Sequence, residues 1–209
     1  MKIKFASLLA TAGLALTAFH AHAESLVNGS IEDGKSKALT CTACHGPEGN
    51  SSNPLWPNIA GQHATYIVAQ LTAFREGTRM DPLMTSQAML LEEGDLADLA
   101  VYFESLPAAA QAVKNPDTVG RGEALWRGGN AESGVSACMA CHGPTGDGNP
   151  AANYPTLRGQ HADYTAKQLR DYASGARTSD GKTRMMRDIA ARLTADEIDA
   201  VASYIQGLK

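Results

Sequence analysis

Cys41-Thr42-Ala43-Cys44-His45 and Cys138-Met139-Ala140-Cys141-His142 are one pentapeptide pattern written twice, and together they hold all four cysteines of the chain. Cys-x-x-Cys-His is the pattern of covalent c-type haem attachment. Two thiols three positions apart can each form a thioether to a haem vinyl group, while the adjacent imidazole reaches the iron from the same face. The spacing therefore assigns Cys41, Cys44, Cys138 and Cys141 to attachment and His45 and His142 to the iron, for two covalently bound haem c groups. A disulfide, a zinc site and a thioredoxin-like redox pair compete for such cysteines. None of the three explains a histidine placed identically beside both pairs, with Gly-Pro following each time.

The motifs sit inside a longer repeat. His45-Gly46-Pro47 matches His142-Gly143-Pro144. Gly61-Gln62-His63-Ala64 matches Gly159-Gln160-His161-Ala162, and Tyr66, Gln70-Leu71, Gly77 and Arg79 match Tyr164, Gln168-Leu169, Gly175 and Arg177. Leu91 and Tyr102 pair with Leu193 and Tyr204. The offset drifts only through loops, so the chain is a tandem duplication. The boundaries read as 1–23 for a leader, 24–106 for the first domain, 107–116 for a linker and 117–209 for the second domain. The linker carries Pro107 and Pro116 around small residues with no apolar period. Extra residues before the second motif, around Arg127-Gly128-Gly129-Asn130, read as a surface loop.

Within each copy the apolar spacing is helical. Ala64, Ile67, Leu71 and Phe74 share one face, echoed by Thr165, Leu169 and Tyr172. The closing stripe Ile198, Val201, Ala202, Ile205, Leu208 is opened by the capping box Thr194-Ala195-Asp196-Glu197. In the first copy Glu92 stands where that threonine would be, so the stripe Leu96, Leu99, Ala100, Phe103, Leu106 should start more weakly. No run alternates like a strand. The fold class is all-α, each half too small for a large core of its own, with a haem filling the centre.

Residues 1–23 read as a secretory signal peptide: Lys2 and Lys4, an apolar stretch from Phe5 to Phe19, and the small-x-small site Ala21-His22-Ala23, cleaved after Ala23. An uncleaved anchor is the alternative, though the stretch is short of the about 20 apolar residues a spanning helix needs. The mature chain belongs in the periplasm. It carries 16 basic and 22 acidic residues, which does not suggest nucleic acid. Residues 24–115 hold 5 basic and 11 acidic residues, residues 116–209 hold 11 of each.

The sixth iron ligand must come from the seven methionines or the remaining mature histidines. Met84 and Met186, each seven positions before the matched Leu91 or Leu193 and placed at the start of the final helix, keep register with the repeat. Met80, Met89, Met139 and Met185 do not, although Met185 adjoins Met186 and competes with it. A thioether raises the potential, as suits an electron carrier. His63 and His161 also match across the copies and raise bis-histidine ligation as a rival. Pro57 and Pro155 offer carbonyls to the second nitrogen of His45 and His142. Arg79 and Arg177 suit haem propionates or lie solvated on the surface.

These residues resemble the di-haem cytochromes c4, two class I cytochrome c domains in tandem. The resemblance rests on Cys-x-x-Cys-His-Gly, the segments Trp56-Pro57-Asn58-Ile59-Ala60-Gly61-Gln62 and Tyr154-Pro155-Thr156-Leu157-Arg158-Gly159-Gln160, the methionine before the final helix, and the closing Tyr204-Ile205-Gln206-Gly207-Leu208. It implies Met84 and Met186 as distal ligands, the Pro57 and Pro155 carbonyls as acceptors for His45 and His142, haems facing each other across a pseudo-symmetric arrangement, and electron delivery towards a terminal oxidase.

The chemistry points to an electron carrier rather than an enzyme, because two protein ligands per iron leave no position for a substrate. Its partners would be a redox donor and acceptor, such as a quinol-oxidising complex and a terminal oxidase, with no nucleic acid and no small-molecule substrate. The sequence leaves open a loose attachment to the membrane. The rivals are a haem subunit of a periplasmic dehydrogenase complex and a di-haem peroxidase. Negative charge favours ferric iron, so the acidic first half should hold the lower-potential haem.

Overall fold

Gly34 and Gly122 decide how each half closes. A Cβ on Gly34 would lie 2.1 Å from the carbonyl oxygen of Asp98 and 2.7 Å from Tyr102 Cβ, and one on Gly122 would lie 2.4 Å from Ala200 O and 2.7 Å from Tyr204 Cβ. Only a bare backbone lets the first and last helices of each half cross at that distance. Replacing Gly122 by valine should cost about 3 kcal/mol or more through overpacking, read as a lowered urea midpoint of the haem-loaded protein.

The structure is a computed structural model that describes residues 26–209. The leader and its cleavage site lie outside the described residues. In the first half, α1 (Ile31–Lys37) leads through a single 3-10 turn into α2 (Thr42–His45), followed by α3 (Ala64–Glu76), α4 (Pro82–Met89) and α5 (Glu93–Ser105). The second half repeats the order as α6 (Val119–Gly128), α7 (Met139–His142), α8 (Ala162–Ser174), α9 (Met185–Ala190) and α10 (Ala195–Gln206). Among the described residues there is no strand, only three isolated bridges. The all-α, tandem architecture is as expected.

The duplicated glycines Gly77 and Gly175 end α3 and α8 in the left-handed region, at φ 74° and 77°, where a side chain would be strained. At the start of α10 the capping box is complete: Thr194 Oγ1 accepts from Glu197 N at 3.2 Å and Glu197 Oε2 accepts from Thr194 N at 2.9 Å. The weaker start expected for α5 is only partly so. Asp95 Oδ2 accepts from Glu92 N at 2.9 Å, supplying the reciprocal half of the box from three residues inside the helix.

Two small cores result. In the first half Ala38, Leu99 and Phe103 are buried together, with Cys41, Ile59, Ile67 and Leu91 against them. The second is larger, built on Leu125, Trp126, Val135, Val201 and Ile205, and takes Cys138, Leu157, Leu169 and Ile189. The insertion expected as a surface loop is more than that. Its first part is the end of α6, and residues 130–135 turn back so that Val135 enters the core and Asn130 Nδ2 donates to Glu197 Oε1 at 2.8 Å.

The segment between the copies is a strap rather than a free tether. Asn50 Nδ2 donates to Pro107 O at 3.1 Å, Gln111 Nε2 to Gly159 O at 2.8 Å and Gln206 Nε2 to Ala112 O at 2.8 Å. It therefore touches both halves along the line where they meet.

Candidate haem-binding sites

α2 and α7 are single turns whose geometry follows from the motif. Each cysteine pair spans one turn, and each turn ends on the histidine at a glycine of positive φ, Gly46 (81°) and Gly143 (78°). No disulfide joins the four cysteines, so each sulfur is available for a thioether bond.

His45 and His142 are buried, at 6% and 7% exposure. His45 Nδ1 lies 2.9 Å from Pro57 O, and His142 Nδ1 lies 3.1 Å from Pro155 O. A carbonyl can only accept, so Nδ1 carries the proton and donates it, leaving the Nε2 lone pair bare in each ring. Burial lowers the pKa of both imidazoles and favours the neutral ring, partly opposed by the proline hydrogen bond. A neutral, oriented imidazole with a free Nε2 is what iron ligation requires. These features fit the haem implied by the motif.

The methionines sit on elements of their own, α4 and α9, rather than at the start of the final helices where their spacing suggested. The two are held differently. Asp81 caps α4, its Oδ1 accepting from Leu83 N at 3.1 Å and Met84 N at 3.0 Å. Around Met186 a buried ion pair does the work: Asp180 Oδ1 accepts from Arg187 Nε at 2.7 Å and Oδ2 from Arg187 N at 3.0 Å, with side chains 5% and 14% exposed. Tyr154 separates the two adjacent methionines. Its ring centroid is 6.2 Å from that of His142 and its hydroxyl lies 3.8 Å from Met185 Sδ, so the Met185 sulfur is engaged while that of Met186 is not in any hydrogen bond.

His63 and His161 lie on the seam between the halves. His63 Nε2 lies 2.6 Å from Asp147 O, and His161 Nε2 lies 2.9 Å from Ser51 O. Each imidazole donates across the boundary to the other copy, while its Nδ1 faces Glu104 Oε1 at 3.9 Å in His63 and Gln111 Nε2 at 3.4 Å in His161.

Arg79 and Arg177 are not solvated. They are 8% and 4% exposed and pair across the seam, bridging backbone to backbone. Arg79 donates to Gln70 Oε1 (3.1 Å), Tyr164 OH (2.6 Å) and Gln168 Oε1 (3.0 Å), and Arg177 to Gln168 Oε1 (2.6 Å), Tyr66 OH (2.7 Å) and Gln70 Oε1 (2.7 Å). Each guanidinium also lies over an aromatic ring, Phe74 at 4.6 Å and Tyr172 at 4.5 Å. Every one of these partners is neutral. Two buried like charges without a carboxylate form a donor set that suits haem propionates.

In the sequence Gln62, Tyr66, Gln70 and their repeats stand out only as marks of duplication. In the structure they form the seam. The signal was present: polar residues kept identical in both copies, on faces that also keep their apolar stripe, are what a self-complementary contact needs.

A family model described as Cytochrome c matches residues 31–107 and 122–209. A cytochrome c4 of Azotobacter vinelandii is 46% identical over 86% of this chain and 90% of its own length. The crystal structure of reduced recombinant cytochrome c4 from Pseudomonas stutzeri superposes with a TM-score of 0.84 at 42% identity, covering 87% of this chain and 100% of that one. A protein of Thiomonas intermedia described as a thiosulfate dehydrogenase electron acceptor is 33% identical over 81% of this chain and 78% of its own.

Proposed function

Since the chain belongs to the cytochrome c family, and within it to the di-haem cytochromes c4 that carry two covalently bound haem c groups, we propose that it is a periplasmic electron carrier, not an enzyme, working between a quinol-oxidising complex and a terminal oxidase. Two hydrogen bonds carry the reading: His45 to Pro57 O at 2.9 Å and His142 to Pro155 O at 3.1 Å. Each leaves one bare Nε2 that would hold the iron, and Met84 and Met186 would supply the other protein ligand. The haem provides one-electron Fe(III)/Fe(II) chemistry. What the chain adds is fixity. Cys41, Cys44, Cys138 and Cys141 hold the ring covalently, the proline carbonyls hold both imidazoles in one tautomer, and burial excludes water from the ligating nitrogens.

With a histidine and a methionine holding each iron, no position would remain for peroxide or oxygen. A redox-titrated visible spectrum should give c-type bands in the reduced state and the weak red band of methionine sulfur on ferric iron, with an intact mass for two haems. Native protein that binds carbon monoxide at neutral pH would favour the di-haem peroxidase and overturn this reading. Periplasmic location is supported by the leader-like residues 1–23. Among the described residues no helix is long and apolar enough to cross a membrane.

A second reading, a haem subunit of a periplasmic dehydrogenase complex, is favoured by the likeness to the thiosulfate dehydrogenase electron acceptor. It shares all the haem chemistry. Stable co-purification with a dehydrogenase would select it.

The 5 basic against 11 acidic residues of 24–115 should stabilise ferric iron there, against the balanced second half. Potentiometry with Met84→His and Met186→His variants assigns the two couples, and the first should lie lower. A higher first couple would refute the electrostatic ordering.

A further inference from the structure

Each iron-facing histidine is wired to the opposite half through a single peptide group. His45 donates to the carbonyl of Pro57 at 2.9 Å, and the N–H of that same peptide, on Asn58, donates to Gln160 Oε1 at 2.9 Å. His142 donates to Pro155 O at 3.1 Å, and the N–H of that peptide, on Thr156, donates to Gln62 Oε1 at 3.0 Å. Both glutamines are locked by their own amides, Gln160 Nε2 donating to Asn58 O at 2.8 Å and Gln62 Nε2 to Thr156 O at 2.9 Å. Asn58, Gln62, Thr156 and Gln160 are each 8% exposed, so little water competes.

A peptide carbonyl becomes a better acceptor when its own N–H is hydrogen-bonded, since bonds in a chain polarise one another by about 10–30% each. A stronger acceptor at Nδ1 makes the imidazole a stronger donor to iron and favours the ferric state. We propose that Gln160 is a positioning residue for the first haem and Gln62 for the second, so that each half tunes the potential of the iron in the other. The proposal rests on His45 and His142 being iron ligands, as read above.

The test is potentiometry of the haem-loaded protein. A Met186→His background isolates the first couple and a Met84→His background the second. Gln160→Met, nearly isosteric but without an acceptor, should raise the first couple and leave the second in place. Gln62→Met should do the reverse. Because methionine also leaves Asn58 N–H and His161 N–H without Gln160 Oε1 and Asn58 O without Gln160 Nε2, Gln160→Asn serves as a second variant: it keeps a polar amide but is one methylene too short to reach the Asn58 N–H, and it should raise the first couple in the same direction. A shift in the mutated half's own couple, an equal shift in both, or no shift in a protein with native haem bands would each overturn the proposal. Loss of the methionine–iron band in the unmutated protein would instead sink the ligand reading beneath it.

Discussion

Met186→Ala is expected to open the second iron: the reduced variant should bind one equivalent of carbon monoxide where the native protein binds none. The couple of that haem should fall by on the order of 0.1–0.2 V, a modest part of the ~0.8 V that axial ligation spans. Loss of the soft thioether removes the ligand that favours ferrous iron. Met185→Ala should do neither, because the Met185 sulfur faces the Tyr154 hydroxyl at 3.8 Å. The neighbouring sulfur is presented by a short helix fixed from behind, through Asp180 and Arg187 with side chains 5% and 14% exposed. Carbon monoxide difference spectra of the two variants decide the matter. If Met185→Ala is the one that binds gas, the ligand is Met185 and the repeat register has misled.

That register was the most informative thing in the sequence, and also the source of its errors. It identified the duplication, the helical class and the haem-attachment motifs because those depend on spacing along one chain. Cys-x-x-Cys-His and the stripe from Ile198 to Leu208 need no knowledge of the other half. The seam was invisible for the opposite reason. Gln62 meets Thr156 and Gln160 meets Asn58 across more than ninety residues, and no local period encodes such a pairing. By residue type Arg79 and Arg177 suit propionates or a solvated surface, and only the fold excludes the second by burying them against each other's helices. The start of α5 was judged from the residue at the cap alone. Asp95, three positions on, carries half the box. Helices α4 and α9 were merged with their successors because Pro82 and the left-handed Arg184, which set their starts, precede runs too short to show a helical stripe.

Arg177→Met should lower the stability of the haem-loaded protein by about 3 kcal/mol or more, far outside the about ±0.5 kcal/mol of an ordinary surface change. The substitution removes one charged donor from four acceptors at once, Tyr66 OH, Gln70 Oε1, Gln168 Oε1 and Ser179 Oγ, leaving Gln70 and Gln168 with Arg79 alone. Arg177→Lys should not rescue it, since one ammonium cannot reach four partners that a planar fork reaches together. Arg79→Met should cost a comparable amount. The double variant should cost less than the sum of the two, because both guanidiniums share Gln70 and Gln168. The redox consequence separates a structural clasp from a charged one. Burial raises the Tyr66 phenol, yet the charges of Arg177 and Arg79 outweigh it and hold the phenol below its ordinary value. If propionates are their counter-charge, removing either arginine weakens the stabilisation of the electron-rich ferrous state, and both couples fall. Urea denaturation followed at the haem bands, with potentiometry on the same samples, measures both effects. A variant that loses stability while both couples stay fixed would leave the arginines as interdomain clasps with no electrostatic hold on the irons.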